Sequence, residues 1–162
     1  MERNLYLNKL IRKKNNGLIK VITGIRRSGK TYLLFELFYD YLIKSGVDKD
    51  HIIKIALDDR INKKYRDPDI LCEYVHDVVK DDQIYYVLLD EVQMVSEFED
   101  VLNSFLHMKN VDTYVTGSNA KFLSKDIITE FRGRGDQVHL FPLSFAEYMS
   151  GKGIDRQQAW QE

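Results

Sequence analysis

Gly24, Ile25, Arg26, Arg27, Ser28, Gly29, Lys30 and Thr31 follow directly on a short apolar run, residues 18–23, and open into a long, mostly apolar stretch, residues 31–44. This order of residues fits G-x-x-x-x-G-K-[ST], the Walker A or phosphate-loop pattern, and its flanks are the buried strand and the helix that the pattern requires. Two glycines let the chain wrap tightly enough for successive backbone N–H groups to converge on an anion. The head of the following helix adds its partial positive charge. Lys30 then supplies a point charge for the β- and γ-phosphates, and the Thr31 hydroxyl a ligand for magnesium. The residues expected against a nucleotide run from Gly24 through Thr31 to Tyr32. A purely structural Gly-rich turn is disfavoured by the strand and helix on either side.

Behind the loop the chain alternates between two periodicities. Residues 51–57 read as a second strand, 84–89 as a third, 113–116 as a fourth and 138–141 as a fifth. The third is apolar throughout, which in a parallel sheet means that both of its faces are covered. Leu5, Leu7, Leu10 and Ile11 suggest a leading helix that ends in Asn15-Asn16-Gly17. Ile70, Leu71, Tyr74, Val75, Val78 and Val79 keep helical spacing after Pro68, and Phe98, Val101, Leu102, Phe105 and Leu106 mark another helix. Within residues 31–44, Glu36, Asp40 and Lys44 recur every four positions and predict one narrow wet stripe on a helix lying deep against the sheet. The alternation predicts an α/β fold, a parallel sheet with helices on both faces. At 162 residues, with no repeat or low-complexity linker, one domain is expected. Its parts would be an N-terminal helix and linker over 1–16, the α/β core over 17–143, and the start of a C-terminal extension over 144–162.

A metal at the phosphate loop needs an acid at the end of a neighbouring apolar strand. Leu88-Leu89-Asp90-Glu91 supplies it, a Walker B arrangement. Asp90 is expected to hold Mg²⁺ through water, and Glu91 to polarise the water that attacks the γ-phosphate. Strands often end in solvated acids; the phosphate loop in the same chain is what favours the functional reading. A dedicated base beside the metal favours hydrolysis over transfer to another acceptor. The fourth strand ends in Thr116-Gly117-Ser118-Asn119, where Ser118 or Asn119 could sense the γ-phosphate, although Gly-Ser-Asn is also ordinary helix-entry chemistry. Arg132 and Arg134 flank Gly133. An arginine near bound ATP, or offered in trans through self-association, stabilises charge on the transferring phosphoryl group. Asp58, Asp59 and Arg60 follow the second strand, on the edge that faces the ligand crevice, and either bind a phosphate acceptor or merely end a strand.

Composition narrows the remaining classes. Apolar residues make up 44% and charged residues 30%, with a formal net charge of -1, the profile of a soluble globular chain. That balance gives no general attraction for nucleic acid, so such a partner is conceivable but unsupported, and no groove-reading motif asks for one. Cys72 is the only cysteine, which excludes an internal disulfide and fits a reducing compartment. No apolar run approaches membrane-spanning length, and charges at Glu2, Arg3, Lys9 and Arg12 interrupt any signal-like stretch; a cytoplasmic location is expected. The four histidines have no metal-binding spacing.

GIRRSGKT, then YYVLLDEVQ, VTGSNAKFLS, FRGRG and LFPLSFAEY together resemble the AAA-type ATPases of bacteria and archaea whose ATPase domain precedes a C-terminal domain of unknown function. The resemblance covers nearly the whole chain, and the TGSNA and PLSF segments in this order are its specific part. It implies an AAA+-like P-loop NTPase core with five-stranded parallel sheet order 5-1-4-3-2 and Mg-ATP as ligand. It also implies Lys30 and Thr31 in the phosphate loop, Asp90 and Glu91 as the acidic pair, Ser118 or Asn119 as the sensor, and Arg134 as the matching Gly-Arg arginine. Members normally continue well past the equivalent of Glu162 into a helical lid and a partner-defining domain, so 144–162 is expected to begin a truncated extension. The expected function is an ATP hydrolase that drives or switches the attached domain. A small-molecule kinase using Asp58, Asp59 and Arg60, and a nucleotide-gated interaction module with little hydrolysis, are the alternatives.

Overall fold

The computed structural model describes residues 4–118 and 133–141. Five strands form one sheet: β1 (Ile19–Thr23), β2 (Ile52–Ala56), β3 (Tyr85–Asp90), β4 (Val111–Thr116) and β5 (Gly135–His139). Every pairing is parallel, and the order is β2-β3-β4-β1-β5, the expected 5-1-4-3-2 counted from the opposite edge.

Alternate residues of each strand point to opposite faces, and the sequence supplies apolar groups to both. Val87 and Leu89, with Ile53, Ile55 and Val115, pack against Leu71 and Val75 of α4 (Pro68–Val78) and Phe98, Val101, Leu102 and Phe105 of α5 (Phe98–Leu106). Tyr86 and Leu88, with Ile22, Tyr114 and Val138, pack on the other face against Leu33, Leu34, Phe35, Phe38 and Leu42. All six residues of β3 are buried for this reason. Each large apolar side chain so placed contributes about 1.5–3 kcal/mol.

The helical run after the phosphate loop starts as α2 (Lys30–Tyr32), widens into a π-helical stretch, Leu33–Phe38, and continues as α3 (Tyr39–Lys44). Glu36, Asp40 and Lys44 are exposed, as their spacing predicts. The π turn takes more residues per revolution than an α turn, and here the consecutive Leu33, Leu34 and Phe35 are all buried. α4 begins where Asp67 accepts from the backbone N–H groups of Asp69 at 2.9 Å and Ile70 at 3.3 Å, with Pro68 in the first turn.

Two features differ from the expected pattern. β5 starts at Gly135 rather than 138 because Gly135 and Asp136 pair with Ile19 and Lys20, and an edge strand tolerates polar residues. Lys20, inside β1, is fully buried and ion-paired to Asp112 of β4. Asp112 also accepts from the Tyr114 hydroxyl at 2.7 Å and from the Asn15 backbone at 2.9 Å. Lys13 pairs with Asp136 at 2.5 Å, so these contacts tie α1 (Asn4–Arg12) to the amino-terminal edge of the sheet. Among the described residues no helix is long and apolar enough to cross a membrane.

Candidate nucleotide site

The phosphate loop leaves β1 at its carboxyl end, where Leu140 N–H donates to Thr23 O at 2.8 Å and holds the end of β5 alongside. Gly24 adopts φ 150°, and a Cβ there would stand 2.7 Å from both Leu140 O and Ser28 Oγ, so no larger residue fits. Arg27 at φ 68° and Gly29 at φ 94° are left-handed; for Arg27 this costs of order 1–3 kcal/mol. Lys30 is almost fully buried, and its Nζ donates to Gly24 O at 2.9 Å and Ile25 O at 2.8 Å. Burial pushes its ammonium below the usual lysine value, an effect that the charges of Glu91 and Asp90 oppose.

β3 carries the acidic pair to the same place. Thr31 Oγ1 donates to Asp90, 3.0 Å from each carboxylate oxygen. Thr116 Oγ1 donates to Asp90 Oδ1 at 2.6 Å and accepts the backbone N–H of Glu91 at 2.9 Å. Burial pushes the Asp90 carboxyl up, and the Thr116 and Thr31 hydroxyls pull it back. Glu91 turns away in a left-handed conformation, where Ser118 Oγ donates to Oε2 at 3.0 Å and Oε1 at 3.2 Å and the Gln93 amide donates to Oε2. A cavity of about 380 Å³ lies over these groups, lined by Arg26, Arg27, Lys30, Thr31, Asp58 and Glu91 among others.

The donor set suits magnesium. Among the described residues no group of three or more His, Cys, Asp or Glu could hold a metal. A cation here would draw instead on one hydroxyl and one carboxylate, both hard oxygen donors, together with water and phosphate oxygens, the usual company of Mg²⁺. A second cavity, about 300 Å³, opens at the amino-terminal edge of the sheet beside Asn15, Ile84, Met108 and Asp112. Its buried carboxylate, Asp112, already accepts from Lys20, Tyr114 and Asn15.

Sequence patterns and geometry meet unevenly. The loop residues, Asp90, Glu91 and Ser118 come together. Ser118 contacts the Glu91 carboxylate. Asn119 and Arg132 lie outside the described residues. Of the two roles expected for Arg134, its position bears on the one within a single chain: it precedes Gly135, which pairs with Ile19 at the amino end of β1, while the phosphate loop leaves the carboxyl end. Five residues of strand separate them, roughly 16 Å, so Arg134 does not reach phosphate bound by its own chain. Sequence reasoning missed Thr116 and Gln93. The sheet order held the signal for Thr116, because pairing of Leu89 with Val115 sets the next residues, Asp90 and Thr116, side by side.

A family model described as an AAA domain matches residues 16–149. An uncharacterized protein of Haemophilus influenzae is 33% identical over 158 residues; the match covers 97% of this chain and 39% of that relative, so the chain spans well under half its length. A DNA polymerase III gamma subunit-related protein from Thermotoga maritima superposes with a TM-score of 0.64 at 12% identity, covering 98% of this chain and 52% of that one. AMPPCP-bound DnaA from Aquifex aeolicus superposes with a TM-score of 0.55 at 16% identity, covering 92% and 49%. At such identities these likenesses speak for the fold. The family match, the strand order and the loop at the end of β1 agree, and the chain belongs to the AAA-domain family of P-loop ATPases.

Proposed function

We propose that this nucleotide-binding domain takes up ATP with Mg²⁺ at residues 24–32 and hydrolyses it, in the cytoplasm, to drive or switch an attached C-terminal domain. The observation that carries the proposal is the meeting of Thr31 with Asp90 at 3.0 Å, two residues 59 positions apart brought together beside a buried lysine. Lys30 exchanges its two carbonyl partners for oxygens of the β- and γ-phosphates. Thr31 and Asp90 would hold the metal, which supplies charge neutralisation on the phosphate oxygens. Glu91 accepts a proton from water as the water oxygen bonds to the γ-phosphorus. The bond from that phosphorus to the β–γ bridging oxygen breaks, releasing ADP and inorganic phosphate. Ser118, with Asn119 beside it in sequence, orients Glu91. Arg134 could act only on nucleotide held by a second copy.

One observation favours the kinase alternative: Asp58 lines the same cavity and could bind an acceptor. Glu91 in that cavity favours water as the acceptor. The test is equilibrium binding of ATP with magnesium to the parent and to Lys30→Ala, followed by phosphate release from the parent and Glu91→Gln. Lys30→Ala is expected to weaken binding at least about tenfold, and Glu91→Gln to bind ATP and release little phosphate. Equal ATP affinity in Lys30→Ala would sink the site, and ADP formation that rises with a supplied acceptor while phosphate release does not, the γ-phosphoryl group having passed to the acceptor, would turn the assignment to a kinase.

A further inference from the structure

Glu91 occupies the left-handed region, φ 55° and ψ 53°, and the 3-10 turn Val92–Met94 follows it. The turn folds Gln93 back so that its amide Nε2 donates to Oε2 of Glu91. The carbonyl end of the same side chain, Oε1, is buried with no hydrogen-bond partner among the described residues. Turning the amide over would set its carbonyl against the carboxylate, oxygen to oxygen, so Glu91 dictates which way Gln93 faces. A buried carbonyl left without a donor is costly, and it persists here because the other end of the amide is committed to Glu91.

We propose that Gln93 is a positioning residue, which locks the Glu91 carboxylate in one orientation at the phosphate cavity. Ser118 holds the carboxylate from just beyond the end of β4, and Gln93 holds it from the turn after β3. Among the described residues Oε2 thereby carries two donors, whereas Oε1 has only the 3.2 Å contact from Ser118. Oε1 is the oxygen left to receive the proton of water. This inference rests on the proposal that Glu91 takes that proton.

Steady-state ATP hydrolysis by the full chain tests it, with the parent, Glu91→Gln, Gln93→Met and Gln93→Ala in parallel. Gln93→Met keeps the length of the side chain and removes the donor, which guards against a folding defect in the alanine variant. Both Gln93 variants are expected to lower kcat by roughly tenfold to a hundredfold, the scale of a misplaced reacting group. KM for ATP and the melting temperature should stay at parental values, a split that a merely structural contact would not produce. A kcat within about twofold of the parent, a faster rate, or a loss shared equally by KM would overturn the assignment. If Glu91→Gln turns over like the parent, or the parent does not turn over, the hydrolase proposal itself fails and takes the inference with it. An inactive Glu91→Gln beside a fully active Gln93→Met removes Gln93 alone.

Discussion

The hydroxyl of Thr116 donates to Asp90 across 2.6 Å. The same oxygen accepts the backbone N–H of the neighbouring Glu91, so one buried side chain sets the spacing of both acids. Thr116→Val keeps the shape and removes both contacts. Without this donor the Asp90 carboxyl rises further above its usual range, and the metal of the proposed site would lose a ready ligand. The variant should require several-fold more Mg²⁺ for half-maximal ATP binding and lose about 1–3 kcal/mol of stability. Thr116→Ser should retain both properties. A magnesium titration of nucleotide binding, paired with denaturant unfolding, distinguishes the two; identical curves for Val and Ser would remove Thr116 from the metal site.

Gly24→Ala introduces a methyl 2.7 Å from Leu140 O, a backbone atom that cannot rotate aside. Strain at φ 150° adds to the overlap. The expected loss is about 1–3 kcal/mol, read as a fall in melting temperature of roughly 2–8 °C. A melt indistinguishable from the parent would mean that the loop and the end of β5 are not packed as described.

The Lys20–Asp112 pair predicts a large asymmetry between single and double substitution. Burial lowers the Lys20 ammonium below its ordinary value, and Asp112 opposes that shift. Lys20→Ala leaves the Asp112 carboxylate buried without its cation and should cost about 3–5 kcal/mol. Lys20→Met combined with Asp112→Leu should cost less than the single change, since no lone buried charge remains, although Tyr114 and Asn15 lose their acceptor. Denaturant midpoints of the parent and the two variants decide the matter; a double variant less stable than Lys20→Ala would exclude a buried ion pair.

At the surface, Asp81 accepts from His51 Nε2 at 3.0 Å and from Gln83 N–H at 2.9 Å. These bonds hold its carboxyl below the usual range. A depressed carboxylate contributes stability above its unfolded-state value, about 3.9, and that contribution is lost as pH falls through the folded value. Asp81→Asn should therefore melt slightly below the parent at pH 7, and the gap should close at pH about 2. A constant gap at both values would assign the effect to packing instead of charge.

What was legible in the residues was whatever is written contiguously. The phosphate loop is spelled in eight neighbouring positions, and Asp90-Glu91 stands at the end of an apolar run, so each could be placed before any contact was known. Thr116 and Gln93 owe their roles to position. One depends on the register of β3 with β4, the other on a 3-10 turn that returns a side chain to its neighbour two residues back. Lys20 stands inside an otherwise apolar strand, and its burial depends on Asp112, 92 residues away. The beginning of β5 was obscured because Gly135, Asp136 and Gln137 carry no strand-like pattern, and pairing with β1 supplies what their side chains do not.

The grip of Lys30 on Gly24 O and Ile25 O gives the loop a bung of its own. At the proposed site a triphosphate would have to displace two carbonyls from an ammonium that is already desolvated. Measured affinity for nucleotide will consequently register the difference between two oxygen cages, and a tight ligand is one whose oxygens outbid the polypeptide for the same cation.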